Sequence, residues 1–366
     1  MTVYNFSAGP AMLPPAVMQE AQQEFLDWQQ QGASVMEISH RSAPFLALMQ
    51  QAEHDVRALL NVPDDYDVLF MHGGARGQFA AIAQNFLGDG GQALYLQSGL
   101  WSTIAADEAK RFAEVVTMDM VQTCSKTHSK QVVLPALTAD LGDFRYVHYC
   151  PNETLEGICI DDELDSPWPV IADMTSCLFE RPLNIRQFGL IYAGAQKNIG
   201  IAGLALVIVR REMLQLPSLP VASIMDYRIT AAHHSIYNTP TTYAVYLAAK
   251  IFQWMLAQGG LAYFSDVNQR KAELVYAAID ASPCYRNQVA VTNRSRMNVT
   301  FQFTDTRQQS AFLAAAEIAG LKALTGHRLV GGCRASMYNA MPLEGAEALV
   351  DLMRQFAQTN PTEPVA

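Results

Sequence analysis

The chain has 366 residues, half of them hydrophobic, with 25 basic against 35 acidic side chains and a formal charge of −10. Such a length and apolar content suit a large core divided between two domains, and they exclude a disordered chain. The acidic balance excludes a broad basic surface for nucleic acid, while leaving room for a local cationic pocket.

The opening segment, "MTVYNFSAGPAMLPP", has neither a basic run nor an uninterrupted apolar one, and does not read as a signal peptide. No stretch approaches the roughly 18 apolar residues of a spanning helix. Six widely spaced cysteines without a CxxC pair fit mostly reduced, apolar-packed thiols. The expectation is a cytoplasmic protein without a membrane segment.

From about residue 16 to 60 the text is helical, opening on "PPAVMQEAQQEFLDWQQQ" and broken at "GASVMEISHRSAP". "YDVLFMH" then reads as a strand, "GQFAAIAQNFL" as a helix, "GQALYLQ" as a strand and "STIAADEAKRFA" as a helix. "FRYVHYC", "WPVIAD", "FGLIYAG" and "LALVIVRR" continue as strands. This alternation predicts an α/β domain with a largely parallel sheet. The last two strands are joined by only about nine residues, too few for a crossover helix, so one antiparallel strand is expected. "TPTTYAVYLAAKIFQWMLAQGG" is a long helix ending at Gly259–Gly260, and the remainder reads as a smaller α+β domain beyond a boundary near 260.

In open α/β sheets ligands bind beyond the carboxyl ends of the strands, and several such ends carry polar residues. "HGGARGQ" places Gly73, Gly74, Ala75 and Arg76 between a strand and a helix. It is either a tight turn or a phosphate site built from free N–H groups. "WPVIADMTS" ends a strand on Asp173, which is either a helix cap or the partner of a protonated ring nitrogen in an aromatic cofactor. Lys197, in "YAGAQKNIG", is either a solvated turn lysine or an amine that condenses with an aldehyde cofactor and then moves a proton. A pyridoxal phosphate site accounts for all three groups together. Trp101 begins a helix after a strand, where its ring is either core or a stacking platform. Thr154 is either a turn residue or a donor to a cofactor hydroxyl. His40–Arg41, Arg76, His327–Arg328 and Arg334 lie in polar loops beside turns or glycines. Arginines so placed suit an amino acid that bears a second strong anion.

"NFSAGPAMLP", "SHRS", "HGGARGQ", "HYCPNETLEGI", "YAGAQKNIG", "NTPTTYAVY", "NRSRMNV" and "GHRLVGGCRASMYNAMPLEG" together resemble the phosphoserine aminotransferase family, from Asn5 to about Phe356. The resemblance implies an aspartate-aminotransferase-like fold. It has a large domain (16–260) with a mostly parallel seven-stranded sheet, and a smaller α+β domain made of 1–15 and 261–366. It implies pyridoxal 5'-phosphate as cofactor and a homodimer with shared active sites. Lys197 matches the lysine that carries the cofactor, Asp173 the ring-nitrogen partner, Trp101 the stacking ring and Thr154 the ring-oxygen donor. Gln196 and the backbone at Ala75–Arg76 match phosphate-binding positions. Asn238 and Thr239 match residues reaching that phosphate from the partner subunit. Arg334 matches the α-carboxylate arginine. His40 and Arg41 match holders of the substrate phosphate, and His327 and Arg328 do the same from the other subunit. The sequence departs from the family pattern at Ile201, Ala75 and Ser42, where proline, glycine and glycine are common.

The implied reaction moves an amino group between L-glutamate and 3-phosphohydroxypyruvate to give 3-phospho-L-serine and 2-oxoglutarate. Amination of a phosphorylated hydroxy-keto acid in pyridoxine biosynthesis is an alternative or additional activity. Among rivals of the same fold, a cysteine desulfurase needs a mobile catalytic cysteine, which Cys333 beside Arg334 does not suggest. A serine–glyoxylate enzyme has no use for a second anion cluster. A cofactor-free binding protein would not need both Lys197 and Asp173. His233–His234 are adjacent rather than spaced as in HExxH, so no metal is expected.

Overall fold

The computed structural model describes residues 2–361 apart from 126 and 128, so the expected end of the smaller domain, 362–366, lies outside the described residues. Its centre is a seven-stranded sheet. The strands are β1 (Tyr66–His72), β2 (Gln92–Gln97), β3 (Val115–Asp119), β4 (Phe144–Tyr149), β5 (Val170–Asp173), β6 (Leu190–Gly194) and β7 (Leu204–Arg210). Their spatial order is β1-β7-β6-β5-β4-β2-β3. β7 runs antiparallel to β6 and β1, and the other neighbours are parallel. The sheet is therefore mostly parallel, with the antiparallel strand where the short connection demands it.

The principal helices are α1 (Pro15–Gln23), α2 (Ala43–Leu60), α3 (Gly74–Phe86), α4 (Leu100–Ala109), α5 (Thr242–Ala257), α6 (Gly260–Asp280), α7 (Gln308–Ile318) and α8 (Leu343–Thr359). Alternate residues of each strand point to opposite faces. Leu94, Val147, Ala172 and Ile191 share one core with Phe45 and Val56 of α2 and Phe252 of α5. Their neighbours Tyr95, Tyr146, Ile171 and Tyr192 share a second core with Phe79 and Phe86 of α3 and Ala105 of α4. Covering both faces explains why these strands read as unbroken apolar runs, each fully buried side chain contributing roughly 1.5–3 kcal/mol.

A third core gathers Phe6, Val275, Phe301, Phe303, Phe312 and Leu349. Its sheet is antiparallel, built from Tyr285–Arg286, β8 (Asn298–Phe303) and β9 (Cys333–Ser336). Tyr4–Asn5 pairs with Leu321–Lys322, which draws the start of the chain to this part of the fold. α6 bridges two cores: Leu261 and Phe264 belong to the first, and Val275 and Ile279 to the third. Among the described residues no helix is long and apolar enough to cross a membrane.

Three elements differ from the sequence reading. The first helix stops at Gln23 rather than continuing to about 31; the chain has left helical geometry by Asp27 (φ −144°, ψ 87°), and Gln29 (φ 51°) and Gln30 (φ 58°) adopt left-handed backbone. The helix expected over 102–113 runs from Leu100 to Ala109. Strand β3 is unanticipated; it lies at the sheet edge, only partly buried, so its apolar signal is weak.

Lys271 of α6 is fully buried, and its ammonium donates to the carbonyls of Met337 (3.1 Å), Tyr338 (2.9 Å) and Met341 (3.0 Å). These bonds staple α6 to the segment that follows β9. Lys271→Ala removes the Lys271 donor from three buried carbonyls, of which Tyr338 keeps the Met341 N–H, and should cost about 3 kcal/mol. Thermal unfolding checks this, and a midpoint within a degree or so of wild type would refute the staple.

Candidate active site

The carboxyl ends of β1, β4, β5 and β6 open into a cavity of about 550 Å³. Each wall comes from a different piece of chain. β1 ends at His72, and Gly73 and Gly74, both at positive φ (86° and 58°), turn the chain directly into α3. The first N–H groups of a helix have no intrahelical acceptor, so Ala75 and Arg76 present theirs at this wall. Gly194 is kept free of a side chain: a Cβ there would stand 2.6 Å from Gln196 Oε1 and 3.2 Å from the Ala75 nitrogen.

Asp173, the last residue of β5, is buried at the floor and accepts from the Thr175 N–H at 2.9 Å. Burial raises its pKa, while the Thr175 donors, Lys197 and Tyr192 oppose that rise. Lys197 lies in the return between β6 and β7 and is also buried. Its Nζ donates to Thr154 Oγ1 at 2.6 Å. Burial lowers the ammonium's pKa to about 8; Asp173 pulls it back up, and Arg334 pushes it further down. A buried amine between a carboxylate and a guanidinium has the environment of a nucleophile or base, not that of a solvated turn residue.

Trp101 stands in the first turn of α4, with the Arg76 guanidinium over its ring at 5.7 Å. Its indole Nε1 is buried and without a partner. Arg334, on β9, and His327 close the opposite wall. Gln196 is held by its carbonyl, which accepts from the Ala11 N–H at 2.9 Å.

The fold thus gathers Ala75, Arg76, Trp101, Thr154, Asp173, Gln196, Lys197, His327 and Arg334 around one cavity. His327 lines the cavity of its own chain, whereas the resemblance implies approach from the partner subunit. His40, Arg41, Arg328, Asn238 and Thr239 do not line it. Arg41, Arg328 and Thr239 are exposed, His40 is half-buried, and Asn238 contacts His72 Nε2 at 3.2 Å. At the departures, Ala75 offers only its backbone, Ile201 packs on the first core, and Ser42 is the residue before α2 with its hydroxyl buried and unpartnered.

Several lining or supporting residues have no role assigned to them by the sequence. Ala8, Gly9 and Pro10 fold over the cavity from the chain's start. Asn152 and Ser176 line it and bond each other at 2.8 Å. Beneath Asp173, His148 stacks on Tyr95 (4.6 Å) and bonds the Tyr192 hydroxyl at 2.9 Å. Burial holds its imidazole neutral, with a pKa of about 3. Elsewhere Cys159, Asp161 and Glu180 cluster with the spacing of metal ligands, but Arg296 already bridges Asp161 (2.6 Å) and Glu180 (2.8 Å).

The class-V aminotransferase family profile matches residues 3–349. A phosphoserine aminotransferase of Shewanella sp. strain ANA-3 is 57% identical over 97% of this chain and 98% of its own length. The relative from Shewanella oneidensis is equally similar, 57% identical over 97% of the chain. Among solved structures, the phosphoserine aminotransferase of Bacillus circulans subsp. alkalophilus superimposes with a TM-score of 0.91 at 39% identity, covering 98% of this chain and 99% of that one. A pyridoxal phosphate-bound phosphoserine aminotransferase from Trichomonas vaginalis gives 0.88 at 39% identity, covering 96% and 100%. With the fold, the buried lysine and full-length similarity in agreement, the chain belongs to the class-V aminotransferases, in the phosphoserine aminotransferase family.

Proposed function

We propose that the chain transfers the amino group of L-glutamate to 3-phosphohydroxypyruvate, forming 3-phospho-L-serine and 2-oxoglutarate in serine biosynthesis, with pyridoxal phosphate as cofactor. The observation that carries this reading is Lys197: a buried amine bonded to Thr154, between Asp173 and Arg334 in one cavity. The residues present fit the cofactor. A carboxylate, an amine, an aromatic ring with a buried unpartnered N–H and a helix start with free N–H groups converge on a space large enough for it.

When bound, pyridoxal phosphate supplies the aldehyde and the electron-withdrawing ring that transamination requires. Ala75, Arg76 and Gln196 would hold its phosphate, Trp101 would lie against its ring, and Thr154 would serve its ring oxygen. Asp173, whose carboxyl pKa is pushed up by burial, would pair with the protonated ring nitrogen, and that positive charge would hold the carboxylate ionised. Lys197, whose lowered pKa of about 8 leaves a large neutral fraction near that pH, would remove the α-proton of the amino donor through Nζ. Arg334 takes the α-carboxylate and His327 faces the substrate's second anion. Both substrates carry two anions, so one cationic wall serves both; it serves a phosphorylated hydroxy-keto acid by the same logic.

A homodimer completes the reading. His40, Arg41, Asn238 and Thr239 are left outside the chain's own cavity, and a second copy would bring them to it, opposite His327 and Arg328. The division into 16–260 and 1–15 with 261–366 is part of the proposal. It is supported by the separate third core, although Leu261 and Phe264 pack on the larger one. A cytoplasmic setting agrees with the buried thiols of Cys150, Cys159, Cys177 and Cys333.

Adding L-phosphoserine to the cofactor-loaded protein should convert its visible band, and L-serine should leave it unchanged. Equal conversion by serine would sink the anion-selection argument. In the cofactor-free protein, the reactivity of Lys197 toward an aldehyde should rise with a midpoint near pH 8, because burial destabilises the ammonium. Asp173→Asn removes the charge that supports the ammonium and should move the midpoint lower. A wild-type midpoint at the ordinary 10.5 would contradict the buried, poised amine. Mixing inactive Lys197→Ala and Arg41→Ala proteins tests the shared site. Hybrid dimers with Arg41 acting across the interface carry one intact site, restoring up to about a quarter of wild-type activity. No recovery would mean that Arg41 serves its own chain.

A further inference from the structure

Glu153 lies between Asn152 and Thr154 and is completely buried, yet none of the roles above uses it. Its carboxylate is ringed by donors. Oε2 accepts the Trp101 N–H at 3.0 Å; Oε1 accepts the Ser102 N–H at 2.9 Å and the Ser102 hydroxyl at 2.6 Å, with the Ser98 hydroxyl at 3.5 Å. The neighbouring Glu156 accepts the Leu100 N–H at 3.0 Å. Together they satisfy the first three N–H groups of α4, which a local cap normally serves only in part. Here the residue before the helix is Gly99, and it must be glycine: a Cβ there would sit 2.7 Å from Glu153 Cδ and 2.7 Å from Glu156 Oε2. The cap is thus supplied from another part of the chain, 52 residues beyond Trp101.

We propose that Glu153 is a positioning residue: its carboxylate clamps the first turn of α4 and so fixes the Trp101 ring over the cavity, in register with Thr154. The geometry links two groups through one side chain. On one side Glu153 holds the Trp101 backbone; on the other its peptide carries Thr154, the acceptor of the Lys197 ammonium at 2.6 Å. Stability alone gives little reason for a buried charge at this place, since a serine or aspartate at the N-cap satisfies a helix start in contact with solvent. A long-range clamp ties the ring to the β4–β5 side of the sheet. Burial and the Glu156 charge push the Glu153 carboxyl up to about 7, while Ser102 and the two N–H donors pull it back.

This inference rests on the reading of Trp101 as the cofactor's stacking ring, and the test separates the two. Cofactor-free wild type, Glu153→Gln, Trp101→Phe and the double variant are each titrated with pyridoxal phosphate, and the dissociation constants compared. The glutamine amide turns a donor toward one of the N–H groups, so E153Q should bind about ten- to a hundredfold more weakly. In the W101F background the same change should cost less than about threefold, because the clamp then has no indole to position. Losses that multiply across the double variant, or wild-type affinity in E153Q, overturn the clamp and leave the stacking role intact. Wild-type affinity in W101F overturns the stacking role, and the clamp with it. Ser102→Ala keeps the charge and removes the shortest donor. Run through the same cycle, it should weaken binding about threefold only when Trp101 is present, and this decides the matter if E153Q fails to fold.

Discussion

The site depends on the short return between β6 and β7. Two fully buried strands must pair every backbone N–H and carbonyl, and a loop of this length cannot cross to a parallel position. β7 therefore doubles back and fills the space between β6 and β1. That choice turns residues 195–203 along the rim on which β5 ends and α3 begins. The Gly203 carbonyl accepts the Gly73 N–H at 3.2 Å, so the lysine's turn and the helix start are joined directly. Lys197 is then buried by its own connection, and its lowered pKa follows from that burial.

A second set of buried polar bonds ties this rim to the smaller core. Asn198, beside the lysine, accepts the Asn339 N–H at 2.9 Å and donates to the Leu178 carbonyl. Asn339 in turn donates to Phe179 and accepts from Asn268 of α6. Closer to the cavity, Asn152 donates to Asn298 at 2.9 Å, and Asn298 donates to Ser336 and Tyr338 around the strand that bears Arg334. Buried amides of this kind add little net stability but are costly to misplace, so they set one relative position for amine and guanidinium. Such positional control is what a reaction at one carbon between an amine and an anion clamp requires.

The charge of the molecule and the charge of the site have opposite sign. A chain of net −10 concentrates Arg76, His327, Arg334 and Lys197 on one cavity, with Asp173 as the carboxylate at its floor. Burial shifts Lys197, Arg334 and Asp173, and at that depth Asp173 and Arg334 both act on the lysine's charge. Charges elsewhere on the surface are screened and act on encounter rather than on chemistry.

Much of this was legible in the sequence, because it depended on local patterns. Apolar runs identified six of the seven central strands, the length of one connection implied the antiparallel strand, and strand-end positions singled out Asp173, Thr154 and Lys197. Motif resemblance supplied roles for these and for the arginines. Edge strand β3 escaped, since partial burial weakens alternation, and so did the early stop of α1 at Gln23, for which the helix-like spacing up to about 31 carries no signal. Tertiary structure alone decided that Glu153 caps a helix 52 residues earlier, that Lys271 is a buried staple, and that His327 lines the cavity of its own chain. These facts concern pairs far apart in the chain. Periodicity and spacing report which face of an element is buried, but only packing in three dimensions determines which distant donor meets which acceptor.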